Sequence, residues 1–195
     1  MDGVRKALDD APLHKALENA TVRFIKSRTD SFDSFPEGEA LRDRARQIKE
    51  DTIAHLDHYL EQLAESVRRQ GGHIHWAADA AEARQIIVEL AREYGSKLAV
   101  KSKSMTTEEI GLNEALEQAG VEPVETDLGE YIIQLAEETP SHIIAPAIHK
   151  TKDEVAELFV QKLGSPKWDR HEDLTREARR HLRDKFRSAD LGISG

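Results

Sequence analysis

Between residues 39 and 70 the apolar side chains Leu41, Ala45, Ile48, Leu56, Leu60, Leu63 and Val67 recur at steps of three or four, with one gap after Ile48. That period predicts a long helix with one apolar stripe and a charged remainder. Gly71-Gly72 supplies a glycine stop at its C-terminus. Residues 1–38 are mixed. Ala16, Leu17, Ala20, Val22, Phe24 and Ile25 can form helical turns, and residues 31–38, ending Phe35-Pro36-Glu37-Gly38, read as a loop.

Beyond residue 72 the period alternates between two and 3.6. Short apolar runs predict strands at residues 73–76, 97–100, 121–125 and 142–145. Amphipathic stretches predict helices at 79–94, 107–119, 128–137 and 152–163. This alternation with short loops implies an α/β fold with a mostly parallel, doubly wound sheet. The expected organisation is an N-terminal helical segment, 1–70, followed by an α/β domain, 71–195. Gly164-Ser165-Pro166 interrupts the pattern, and a highly charged helix is expected over 174–187. The final stretch, with Leu191-Gly192-Ile193, reads as the approach to another strand. The expectation is a domain cut near that point, the chain being an N-terminal piece.

Charge and composition narrow the function classes. The formal net charge of -9 argues against a general nucleic-acid binder, which needs a basic face. There is no cysteine, so these residues hold no disulfide, thiol nucleophile or cysteine-ligated iron–sulfur cluster. No run of eighteen apolar residues is present, so no membrane span is expected. The N-terminus is charged and has no apolar core of a signal peptide, which makes the cytoplasm the expected location.

The candidate chemistry gathers where strands pass into helices, the edge at which parallel sheets bind ligands. Lys101-Ser102-Lys103-Ser104 follows Leu98-Ala99-Val100 and opens a helix. Lysines, hydroxyls and free helix N–H groups there suit a carboxylate or phosphate. The bland alternative is a solvated loop. Two lysines one residue apart on extended backbone point to opposite faces, so only one of Lys101 and Lys103 is expected to face a site. Gly129-Glu130 and His149 fall on the same edge. The expected ligand-binding set is therefore Lys101, Ser102, Lys103, Ser104, Glu130 and His149, and no catalytic residue is assigned.

Three pairs carry capping-box spacing: Thr106 with Glu109, Asp127 with Glu130, and Thr151 with Glu154. His55 with His58, and His73 with His75, lack further ligands at useful spacing, so no metal site is expected. The basic segment 176–187 reads as a solvated helix face. Dinucleotide, phosphate-loop and nucleophile-elbow motifs are all missing.

Segments from Arg44-Ala45 through Tyr59-Leu60, then His75-Trp76-Ala77, Lys101 to Ile110, Glu125-Thr126-Asp127-Leu128-Gly129-Glu130-Tyr131-Ile132 and Pro140 to Lys150 resemble, in that order, the lactate-utilisation domain family. The resemblance is strongest over Lys101 to Ile110. It implies a fold of the sugar-isomerase and CoA-transferase-like class. It also implies an iron–sulfur electron-transfer subunit that works with two companion proteins to oxidise L-lactate to pyruvate. The implied [4Fe–4S] clusters belong to a C-terminal ferredoxin-like region outside these residues, so no cofactor is expected in this chain. The implied partners are the other lactate-utilisation subunits, beside the small anionic ligand that the Lys101–Ser104 turn suits.

Overall fold

The computed structural model describes residues 8–140 and 145–195. The chain divides into two compact units, Glu18–Trp76, and Ala77–Gly195 together with the stretch up to Leu17.

The helical unit contains most of α1 (Ala11–Asp33), then α2 (Gly38–Ala54) and α3 (Leu56–Arg69). The expected single helix over 39–70 is thus two, parted at His55. The cause sits in the gap of the apolar stripe. His55 leaves helical geometry at φ −125, ψ 34. The Asp51 carboxylate gathers both sides of the break, lying 3.3 Å from His55 Nδ1 and accepting from the Tyr59 hydroxyl at 2.8 Å. The loop expected over 31–38 is also shorter, because α1 continues to Asp33. The glycine stop forms as the sequence indicates. Gly72 N–H donates to the Val67 carbonyl and Gly71 N–H to Arg68, with Gly71 at φ +81. That is the paired closure of a left-handed helix end.

In the second unit, α4 (Ala80–Glu93) starts at Asp79, whose carboxylate accepts from Glu82 N–H at 2.9 Å. It leads into β1 (Leu98–Lys101), and α5 (Met105–Glu109) and α6 (Leu112–Gln118) follow. Next come β2 (Glu122–Glu125), α7 (Leu128–Ala136), α8 (Lys152–Leu163), α9 (His171–Ser188) and β3 (Leu191–Ile193). The three strands form a parallel sheet in the order β2-β1-β3. Helices cover both faces, as a doubly wound sheet requires. On one face Leu98 and Val124 pack with Ile132, Phe159, Leu174 and Leu182 from α7, α8 and α9. On the other, Ala99 packs with Ala91, Leu112 and Leu116 from α4 and α6. Fully buried Leu112, Leu116 and Phe159 each contribute roughly 1.5–3 kcal/mol of transfer free energy.

Other expectations need correction. Residues 73–76 are not a strand: no strand among the described residues pairs with them, and His73, His75 and Trp76 are exposed. The helix expected over 107–119 breaks at Gly111, which takes the left-handed conformation at φ 66 and starts α6 anew. Thr106 is not a cap. Ser104 takes that role and accepts from Thr107 N–H, so α5 begins before the expected box. Asp127 does cap α7, accepting from Gly129 and Glu130 N–H, and Thr151 with Glu154 forms the full capping box of α8. The strand expected at 142–145 falls, but for Ala145, outside the described residues.

Candidate functional site

Lys101 is the last residue of the central strand, not part of the turn after it. Strand alternation sets it on the same face as Ala99, toward α5 and α6. Its side chain is only 2% exposed, and its ammonium has two partners. Nζ lies 2.8 Å from Glu125 Oε1 and donates to Thr107 Oγ1 at 2.8 Å. Glu125 ends β2 and is the register partner of Lys101 in the parallel pair. Its Oε1 also accepts from Asn113 Nδ2 at 3.0 Å. The Thr107 hydroxyl donates onward to the Ser104 carbonyl at 3.0 Å. Two adjacent strand ends of opposite charge thus make a buried polar cluster, held by side chains from α5 and α6. A buried charge is tolerated only when paired in this way.

The cluster floors a cavity of about 470 Å³. Lys101, Ser104, Asn113, Glu125, Glu130 and Gln134 are among its lining residues. The volume lies within the range of small-molecule sites, and the location is the carboxyl edge of the sheet. Gln134 steadies the wall. Its side-chain amide accepts from Glu125 N–H at 3.0 Å and donates to the Pro123 carbonyl at 2.7 Å, tying α7 to β2.

Of the six residues expected at a ligand site, Lys101, Ser104 and Glu130 line this cavity. Ser104 also serves as the cap of α5. Lys103 is outside the lining, 42% exposed, with its ammonium 3.9 Å from Glu130 Oε1. Ser102 turns the other way and bonds the Ser194 hydroxyl at 3.3 Å. His149 is set apart, with Nε2 2.8 Å from Glu138 Oε2. Glu138 itself lines the cavity, so His149 and Lys150 reach the site only through it. Burial pushes the Glu138 carboxyl up, but hydrogen bonds from Lys150 and His149 outweigh that and hold it below the ordinary glutamate range.

Sequence reasoning missed Glu125, Asn113 and Thr107. A signal was present in that Val100-Lys101 and Val124-Glu125 both place a charge at the end of an apolar strand, with opposite signs.

A family model described as the LUD domain matches residues 60–195, well over half of the chain. The chain belongs to the LUD domain family. Its similarity to curated proteins reaches further back than that model. Lactate utilization protein B of Bacillus cytotoxicus is 42% identical over 194 residues, covering 100% of this chain. The proteins of the same name from Oceanobacillus iheyensis and Bacillus pumilus are 42% and 43% identical, each over 98% of it. The chain spans about 41% of the length of these relatives. No solved structure matches.

An iron–sulfur cluster does not fit the LUD-domain residues present here, since none of the 195 is a cysteine. Among the described residues there is also no group of three or more metal-ligating side chains. None of the described helices is long and apolar enough to cross a membrane.

Proposed function

We propose that this chain is the N-terminal part of an iron–sulfur electron-transfer subunit in a complex oxidising L-lactate to pyruvate, and that this part carries no cluster itself. The observation behind this reading is its similarity, along the whole chain, to proteins named lactate utilization protein B that are more than twice as long. Clusters in such a subunit would need ligands from elsewhere in the polypeptide. The LUD portion would then contribute a ligand cavity and a surface for the other lactate-utilisation subunits. The test is lactate-dependent dye reduction without oxygen, with the intact gene product and its partner subunits, compared with these 195 residues alone. The expected result is reduction by the assembly only. Reduction by the 195 residues alone would overturn the reading.

A second reading is a module binding a small carboxylate or phosphate, whose ligand would meet Lys101 in a cavity also lined by seven glutamates. Lys101, Ser104 and Glu130 converge at the carboxyl edge of the sheet, with Lys103 beside Glu130. Lactate and inorganic phosphate are the probes. Calorimetric titration should show binding that weakens in Lys101→Ala and Lys103→Ala. Unchanged affinity in both single variants and the double variant would reject it.

A further inference from the structure

The helical unit has almost no interior. Only Ala20, Gly38 and Ala64 are buried within residues 18–76. Of the large apolar side chains on the stripe of α2 and α3, Leu60 and Val67 are half-buried and the other four are exposed. Leu41 and Ile48 are 50% and 57% exposed, and Leu56 and Leu63 are 47% and 54% exposed. Within each helix the stripe positions follow the steps i, i+4, i+7, which place them along one side. Helices of this length are marginal in water and take most of their stability from packing an apolar face. Exposed apolar side chains gathered along a helix in this way mark an interaction surface.

The LUD match begins at residue 60, so α1 and α2 lie outside that model. Both helices are shared instead with relatives whose chains are more than twice as long. A segment of the same polypeptide also needs no second molecule to reach the stripe, because tethering raises its effective concentration.

We propose that the Leu41, Ile48, Leu56 and Leu63 stripe is the docking surface for the part of its own polypeptide that follows residue 195. The inference rests on the reading of this chain as part of a longer subunit. Two other occupants, a second copy and the chain's own sheet unit, are outcomes of the test.

The experiment begins with the intact mass of the native gene product. That product is then treated with a short amine-reactive cross-linker, as a mixture of isotopically heavy and light protein. Lys26 and Lys49 are the reporters on the helical unit. Light–light and heavy–heavy cross-links from Lys49 to lysines beyond residue 195, unchanged on dilution, are the expected result. Ile48→Asp combined with Leu63→Asp should lower their yield at least about tenfold, the effect of little more than 1.4 kcal/mol of docking energy. A product ending at residue 195 overturns both the longer-subunit reading and the docking. A longer product overturns the docking alone if its cross-links are mixed heavy–light pairs, run to residues 77–195, or never reach beyond residue 195.

Discussion

Replacing Lys101 with methionine removes the cation of the buried pair and keeps the volume of the stem. The Glu125 carboxylate, 9% exposed, would be left with the Asn113 amide as its remaining side-chain partner. Breaking a buried pair from one side costs roughly 3–5 kcal/mol, because the other charge stays buried without compensation. With a urea dependence of about 2 kcal/mol per molar, that lowers the midpoint by roughly 2 M. Removing both charges, as Lys101→Met with Glu125→Leu, leaves no orphan and should recover most of the loss. The readout is urea unfolding followed by Trp168 fluorescence. Trp168 packs against the core of the sheet unit, and a Trp76→Phe background silences the tryptophan of the helical unit. A double-mutant cycle then isolates the pair. A single-variant loss under about 1 kcal/mol would show that the pair is not buried in solution. A double variant as damaged as the sum of its singles would refute the argument from the orphaned charge.

Other consequences can be checked directly. Thr151→Ala removes the capping box of α8 and should cost about 1 kcal/mol in the same unfolding assay. Gly71→Ala forces a side chain into the left-handed closure of α3 and should destabilise the helical unit by about 1 kcal/mol, seen as lost helical ellipticity on warming. Burial, with Glu122 nearby, pushes the Tyr131 phenol up to about 12. Its contribution to stability is therefore complete below the ordinary tyrosine pKa and lost as pH rises through about 12. An ultraviolet pH titration with Tyr131→Phe as control should show this late phenol, and ionisation near 10 would contradict it. The depressed Glu138 carboxyl acts with the opposite sign. Its contribution is complete above the ordinary glutamate range and lost as pH falls through its own lower value. Carbonyl-carbon NMR should find its midpoint below that of exposed glutamates, and Lys150→Ala should raise it.

Local rules made several elements legible in the sequence. The paired glycines after Gln70 close a helix through backbone geometry that only nearby residues influence. Thr151 and Glu154 cap α8 reciprocally because three residues separate them, whatever packs outside. The β–α alternation announced a parallel sheet, and Leu191-Gly192-Ile193 pairs with β1 as its strand-like pattern suggested. Four residues at 73–76 carried a similar pattern and formed no strand. A strand needs a neighbour to receive its hydrogen bonds, and a short apolar run does not specify one.

The candidate site was legible only in part, for the same reason. Sequence order set Lys101 at the sheet edge, and alternation let only one of Lys101 and Lys103 face a site without choosing between them. It could not reveal that the ammonium is buried. That follows from the parallel register that brings Glu125 opposite Lys101, and from α5 and α6 folding back to supply Thr107 and Asn113. Caps, stops and periodicities are short-range properties of the chain, so the sequence by itself determined them. Which charges meet, and whether water reaches them, depends on residues far apart in the chain, and only the tertiary structure decided that.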